Sequence, residues 1–245
     1  MPPKISMGMK GARLRQSTGR SRGRFITFEG VEGSGKTSQI SRSAERLRDL
    51  GWPVIETREP GGTSVAEQIR DVMLNRGNEQ LTPLTEAFLV MAARAQHVEE
   101  VIRPALAAGV VVLCDRFADS TLAYQGYGRG LALPSLRRLN RLATAGLEPD
   151  MTIVFDVPVT VGLQRRRAHR EVNRLDMESV AFHERVRKGF LQLARAEPRR
   201  MKVVNSGVSQ ARVSNLVLEL IEQILQRSTP APRRDTNRTR RSRVG

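Results

Sequence analysis

The sequence is poor in cysteine, in aromatic residues and in long apolar runs. Its single cysteine, Cys114, excludes an intrachain disulfide and a cysteine-rich metal cluster. It fits a reducing compartment. Aromatic residues make up only 4% of the chain, so the core must be built from Leu, Val, Ile and Ala. No run of about 20 apolar residues occurs, which leaves no candidate helix to span a bilayer. What remains is a chain of 245 residues, 39% hydrophobic, sufficient for one α/β domain with a substantial core.

Acidic residues are scarce at the two ends. Residues 1–24 carry seven Lys or Arg and no acid, and residues 228–245 carry six Arg and one Asp. Between them, 25–227 holds 28 basic and 24 acidic residues, so the net charge of +16 resides mostly in the ends. Both ends are rich in Arg, Ser, Gly and Pro without apolar periodicity, the composition of disordered tails. The expected division is therefore a basic N-terminal extension (1–24), one domain (25–227) and a basic C-terminal tail (228–245). Such tails hold polyanions weakly and salt-sensitively; a solvated extension without a dedicated role is the simpler expectation. The first segment also has the basic, acid-free composition of a transit peptide. Its amphipathicity is poor, and Met7 and Met9 are alternative starts, so an untargeted extension of a cytoplasmic protein is expected.

Five apolar, β-branched runs are candidate strands: FITF (25–28), PVIET (53–57), VVVLC (110–114), MTIVF (151–155) and MKVVN (201–205). Helical patterns separate them, at 36–50, 63–75, 83–108, in PSLRRLNRLATAG, and at 158–169, 179–196 and 208–226. Strands alternating with helices predict a five-stranded parallel sheet covered on both faces.

Glycines concentrate directly after the first strand. Gly30-Val31-Glu32-Gly33-Ser34-Gly35-Lys36-Thr37 matches G-x-x-x-x-G-K-[ST], between a strand and a helix, which is the context a phosphate-binding loop requires. Its backbone N–H groups would face phosphate oxygens, aided by the positive end of the following helix. Lys36 would reach the β- and γ-phosphates of ATP, and the Thr37 hydroxyl would ligate Mg²⁺. An ordinary strand–helix turn needs one glycine and has no use for the complete signature. VVVLCDR places Asp115 at the carboxyl edge of the sheet beside this loop, where a Mg²⁺-associated acid belongs; an Asp in that place otherwise caps a helix. Arg116 adjoins it and suits bidentate phosphate binding. The basic stretch LQRRRAHREVNRLD (163–176) holds Arg165, Arg166, Arg167, Arg170 and Arg174. It reads as a solvated face, an RNA patch without aromatic stacking residues, or a mobile lid (163–178) bringing cations to a transferring phosphoryl group.

ITFEGVEGSGKT, REPGGT (58–63), AARAQHVEEVIRPAL (92–106) and CDRFADSTLAYQGYGRGL (114–131), followed by the basic segment, resemble bacterial thymidylate kinases over about 25–226. The resemblance implies the three-layer P-loop fold of nucleoside monophosphate kinases. The implied reaction is ATP + dTMP → ADP + dTDP with Mg²⁺, by a homodimer. It also implies roles. Glu32 faces the acceptor 3′-hydroxyl. Arg58 and Arg116 hold the dTMP phosphate in a pocket shaped by Glu59 and Pro60. Arg94 donates to the thymine carbonyl beside Ser120 or Thr121, Tyr124 packs under the sugar, and Gln125 lies near the base. Lys36, Arg116, Arg167 and Arg174 are the expected catalytic cations. Two positions depart from the family pattern. Val90 stands where an aromatic ring usually stacks on thymine, with Phe88 on another helical face, and Asn173 replaces the Asp of the lid Asp-Arg pair. A P-loop kinase for another nucleotide, or a nucleic-acid-binding ATPase, are the alternatives. The near-balanced charge of 25–227 and the absence of a stacking platform speak against the latter.

Overall fold

The computed structural model describes residues 22–78, 81–168 and 173–226. Five parallel strands form one sheet: β1 (Phe25–Glu29), β2 (Val54–Arg58), β3 (Val111–Asp115), β4 (Met151–Asp156) and β5 (Met201–Asn205), in the order β2-β3-β1-β4-β5. All five candidate runs are strands, within one residue at each boundary. Central β1 is wholly buried, which is why it carries apolar side chains, Phe25, Ile26 and Phe28, on both faces.

Helices cover both faces. On one, α1 (Lys36–Asp49) and α9 (Gln210–Gln226) bury Ile40, Leu47, Val217 and Ile221 against Ile26, Phe28 and Phe155. On the other lie α3 (Pro83–His97), α4 (Arg103–Ala107), α5 (Ala118–Thr121), α6 (Leu133–Ala143) and α8 (Val180–Ala196). The remaining helices, α2 (Ser64–Leu74) and α7 (Val159–Arg167), sit near the carboxyl edge of the sheet.

Two expectations need correction. The single helix expected over 83–108 is α3 and α4 joined by a π-turn at Val98–Ile102. Pro104 cannot donate to the preceding turn, and the widened turn accommodates its ring. No helix was expected in ADSTLAYQGYG, yet α5 continues into a π-turn over Leu122–Gly128. Tertiary packing drives it. A Cβ on Gly128 would lie 2.7 Å from the Phe182 ring, and one on Gly189 2.6 Å from Tyr127, so bare glycines let α8 press onto this turn. Just before β1, Gly23 N donates to Leu106 O at 2.9 Å, and Arg24 pairs with Asp150 at 2.8 Å. Arg170 of the basic stretch lies outside the described residues.

Candidate functional site

Glycine shapes the loop after β1. Gly35 caps α1 in the left-handed region (φ 92°), and a Cβ on Gly33 would stand 1.9 Å from Gly162 O. The loop is thereby seated against α7. Lys36 is buried, and its Nζ donates to Gly30 O (3.1 Å), Val31 O (3.0 Å) and Ser34 Oγ (3.3 Å). Burial, with Arg116 nearby, lowers its pKa to about 8. Thr37 Oγ1 donates to Asp115 Oδ2 at 2.8 Å, so the two expected metal ligands meet across the strand ends. These groups floor a trench of about 760 Å³ whose far wall carries Arg165 and Arg166.

A second, narrower pocket opens from the trench. Glu32, Glu59, Arg70, Arg116 and Asn173 border both. Arg116 follows β3 in a left-handed conformation (φ 70°). Its guanidinium donates to Gly30 O (2.9 Å) and Glu32 Oε2 (2.7 Å) and lies 4.9 Å from the Tyr124 ring centre. Tyr124 OH donates to Glu32 Oε1 at 2.9 Å. Burial would raise the Glu32 pKa, but Arg116, Lys36 and the Tyr124 hydroxyl outweigh it and hold it at about 2. Glu32 is therefore an ionised acceptor at neutral pH.

Deeper in, Arg94 is 1% exposed. It donates to Glu59 Oε2 (2.7 Å), Thr121 Oγ1 (2.9 Å), Asn140 Oδ1 (2.5 Å) and Phe117 O (3.0 Å). Glu59 also meets His97 Nδ1 at 3.1 Å, tying the end of β2 to α3. Most Arg94 donors are thus spent inside the protein, and it lines the pocket together with Pro60, Val90, Ser120, Thr121, Tyr124 and Gln125. Phe88 points away, 52% exposed.

The expected cations divide differently from the sequence reading. Arg58 is exposed, paired with Glu67 at 2.9 Å, and lines the trench but not the inner pocket. Arg167 is exposed and outside the lining of both cavities. Arg174, expected as a catalytic lid cation, is buried instead. Its Nε donates to Met73 O (2.9 Å) and its Nη2 to Glu86 Oε2 (2.5 Å). Burial of the guanidinium needs a paired charge, and Glu86 supplies it. Arg165 and Arg166 take the wall of the trench, with Arg166 held by Asp176 at 2.9 Å. Asn173 does what a carboxylate would do locally: its Oδ1 accepts from Leu175 N and Asp176 N at 2.9 and 3.1 Å.

Sequence reasoning missed three residues. Arg70 lines both cavities and donates to Pro60 O at 2.8 Å. Its signal was present: Ala66 and Met73 bury one face of α2, and Arg70 interrupts that face. Glu29, at the end of β1, is fully buried and accepts from Phe117 N (2.8 Å), Ser120 N (3.2 Å) and Ser120 Oγ (2.6 Å). Burial first, then Asp119, raises its pKa to about 7. Glu86 is the third; no local pattern separates it from a helix-start acid.

Residues 28–217 match the family model described as thymidylate kinase. The chain is 56% identical over 194 residues to the thymidylate kinase of Geobacter sulfurreducens, covering 76% of this chain and 91% of that protein. It is 50% identical over 206 residues to that of Pseudomonas fluorescens, covering 84% and 98%. The crystal structure of thymidylate kinase from Ehrlichia chaffeensis superposes with a TM-score of 0.67 at 34% identity, covering 82% of this chain and 99% of that one. A phosphate loop, a trench and an adjoining polar pocket on this sheet agree with those matches, and the chain belongs to the thymidylate kinase family.

Proposed function

We propose that the chain phosphorylates dTMP to dTDP with ATP, binding the donor phosphates in the trench and dTMP in the inner pocket. The observation that carries this reading is the shared border. Glu32 and Arg116 belong to both cavities and contact each other at 2.7 Å, so the donor and acceptor sites open onto one point. In-line phosphoryl transfer depends chiefly on such positioning and on charge stabilisation.

Lys36, now satisfied by loop carbonyls, exchanges them for the β- and γ-phosphate oxygens. Arg116 and Arg70 hold the dTMP phosphate, with Arg58 at the outer edge. Ionised Glu32 accepts from the 3′-hydroxyl of the sugar, while Tyr124 fills the space beneath the ring and disfavours a 2′-hydroxyl. Arg165, rather than Arg167 or Arg174, is the cation best located to meet charge developing between the phosphates. Val90 contacts thymine without ring stacking.

Thr37 and Asp115 offer two hard oxygens, and no cluster of three metal-ligating side chains occurs among the described residues. That donor set fits Mg²⁺, which keeps water and substrate phosphates as most of its ligands. Bound there, the ion would neutralise phosphate charge.

The homodimer implied by the family resemblance has a suitable surface. Packed helices α2 and α3 expose Val65, Val72, Leu84 and Phe88. Sedimentation velocity of Val72→Glu, expected to be monomeric, tests it. A cytoplasmic location accords with the single buried Cys114 and with the lack, among the described residues, of a helix able to cross a membrane.

The decisive experiment is ADP release with dTMP, dUMP, UMP, dCMP and dGMP as acceptors. Strong preference for dTMP is expected; equal use of UMP would overturn the assignment.

A further inference from the structure

Glu86 has no solvent exposure and lies in the first turn of α3. Four hydrogen bonds converge on its carboxylate. Gln125 Nε2 donates to Oε1 at 2.7 Å, and Arg129 donates to Oε1 and Oε2 at 3.3 and 3.1 Å. Arg174 Nη2 donates to Oε2 at 2.5 Å. Burial opposes its charge, but Arg129, Arg174 and Gln125 outweigh burial and hold the group ionised.

An ionised carboxylate only accepts hydrogen bonds. The two ends of the Gln125 amide are nearly the same shape, so packing alone does not choose between them. The carboxylate does: the NH₂ must face Glu86, and Oε1 must face the other way. Gln125 lines the inner pocket, and among the described residues its Oε1 has no hydrogen-bond partner. The two guanidinium groups keep Glu86 charged and in place, with Arg129 itself anchored to Glu178 at 2.6 Å.

We propose that Glu86 is a positioning residue for specificity: it fixes the Gln125 amide with its acceptor towards the base, so the pocket admits a base edge that donates there and rejects one that accepts. This rests on the dTMP reading above. The thymine ring presents N–H at N3, whereas the cytosine N3 is a lone pair. Facing Gln125 Oε1, the first forms a hydrogen bond. The second sets two acceptors against each other in a buried site, where an unmade bond is costly.

The test compares kcat/KM for dTMP and dCMP in the wild type, Glu86→Gln and Glu86→Asp, with KM for ATP and melting temperature recorded for each. A carboxamide at 86 can donate, which frees Gln125 to turn over. A shorter carboxylate keeps the charge for both arginines but withdraws from Gln125, so it stays informative if Glu86→Gln fails to fold. Both variants are expected to lower the dTMP-to-dCMP preference at least about tenfold, through a higher KM for dTMP at unchanged KM for ATP. A merely structural Glu86 would lower the melting temperature and leave the preference alone; that result in a folded variant overturns the proposal. If the wild type releases no ADP with dTMP, the kinase reading itself fails. If it does and the variants keep the wild-type preference, only the role of Glu86 fails.

Discussion

On the side proposed for the donor, eight consecutive residues, Gly30 to Thr37, supply nearly everything: backbone turns, one lysine and the Thr37 hydroxyl. On the acceptor side, the pocket draws on β2, α2, α3, the turn after β3 and the segment at 173–175, and its groups are held by buried side-chain pairs. A backbone site tolerates change in its surroundings because its geometry is local. A side-chain site is only as precise as the charges that brace it. Substitutions should therefore separate the two. On the donor side they should reduce turnover and spare stability; within the acceptor network they should disturb stability and acceptor affinity together.

The largest effect is expected at Lys36. Lys36→Ala should lower kcat at least about 10³-fold, because phosphate positioning is most of the catalysis. Its melting temperature should change little, since the lysine bonds only to its own loop. Steady-state rates beside a thermal melt check both halves. Near-normal turnover in a folded variant would remove the loop as the ATP site.

The same contrast appears between two lid arginines. Arg165→Ala, on the trench wall, should reduce kcat by tenfold or more and shift stability by less than about 0.5 kcal/mol. Arg174→Ala removes one partner of buried Glu86 and should cost about 3 kcal/mol, with a raised KM for dTMP. Urea titration and kinetics of the two variants decide it. The reverse pattern would return Arg174 to the catalytic role that its sequence position suggests.

These arginines mark where sequence legibility ends. The strands and the glycine loop were readable because their signals are local: β-branched runs in one case, an eight-residue signature in the other. Thr37 and Asp115 meet because parallel order sets the start of α1, reached from β1, beside the end of β3. Arg167 and Arg174 looked equivalent to Arg165 in a run of basic residues. Only the fold turns Arg174 onto Glu86, 88 positions away. The α5 and π-turn segment was hidden for a similar reason, since Gly128 serves contacts with Phe182 and Val186 of a helix more than fifty residues later.

A pH dependence sharpens the comparison at Glu29, which braces Phe117 and Ser120 from beneath the acceptor turn. Its pKa rises from 4.5 to about 7 on folding. The folded state then binds the proton more tightly, so this group favours folding below pH 4.5. That contribution fades as pH climbs to 7, a change of roughly 3 kcal/mol. Glu32 runs the opposite way: lowered to about 2, it favours folding above pH 4.5 and ceases to as pH falls through 2. Between pH 5 and 8 the two are separable. Denaturant titrations across that range should show wild-type stability declining relative to Glu29→Gln, and parallel curves would contradict the assignment.

The smallest effect on catalysis is expected from the two basic ends of the sequence and from Gly23. Removing residues 1–21 and 227–245 takes away much of the positive charge and leaves every described residue that lines the trench or pocket in place. At moderate salt, exposed charges beyond about 8–10 Å are screened, so kcat and both KM values should stay within twofold. Gly23 is a sharper probe of where folding begins. A Cβ there would stand 2.1 Å from Val110 O, a clash with backbone that no rotamer change relieves. Gly23→Ala should therefore push residues 22–24 off the sheet, breaking the bonds from Gly23 N to Leu106 O and from Arg24 to Asp150. The expected cost is about 1–3 kcal/mol, read as a melting temperature lower by several degrees with kinetics unchanged. A melt like wild type would mean that 22–24 contribute nothing to stability. Altered kinetics in the trimmed protein would instead give the charged ends a part in substrate binding that neither half of the cleft accounts for.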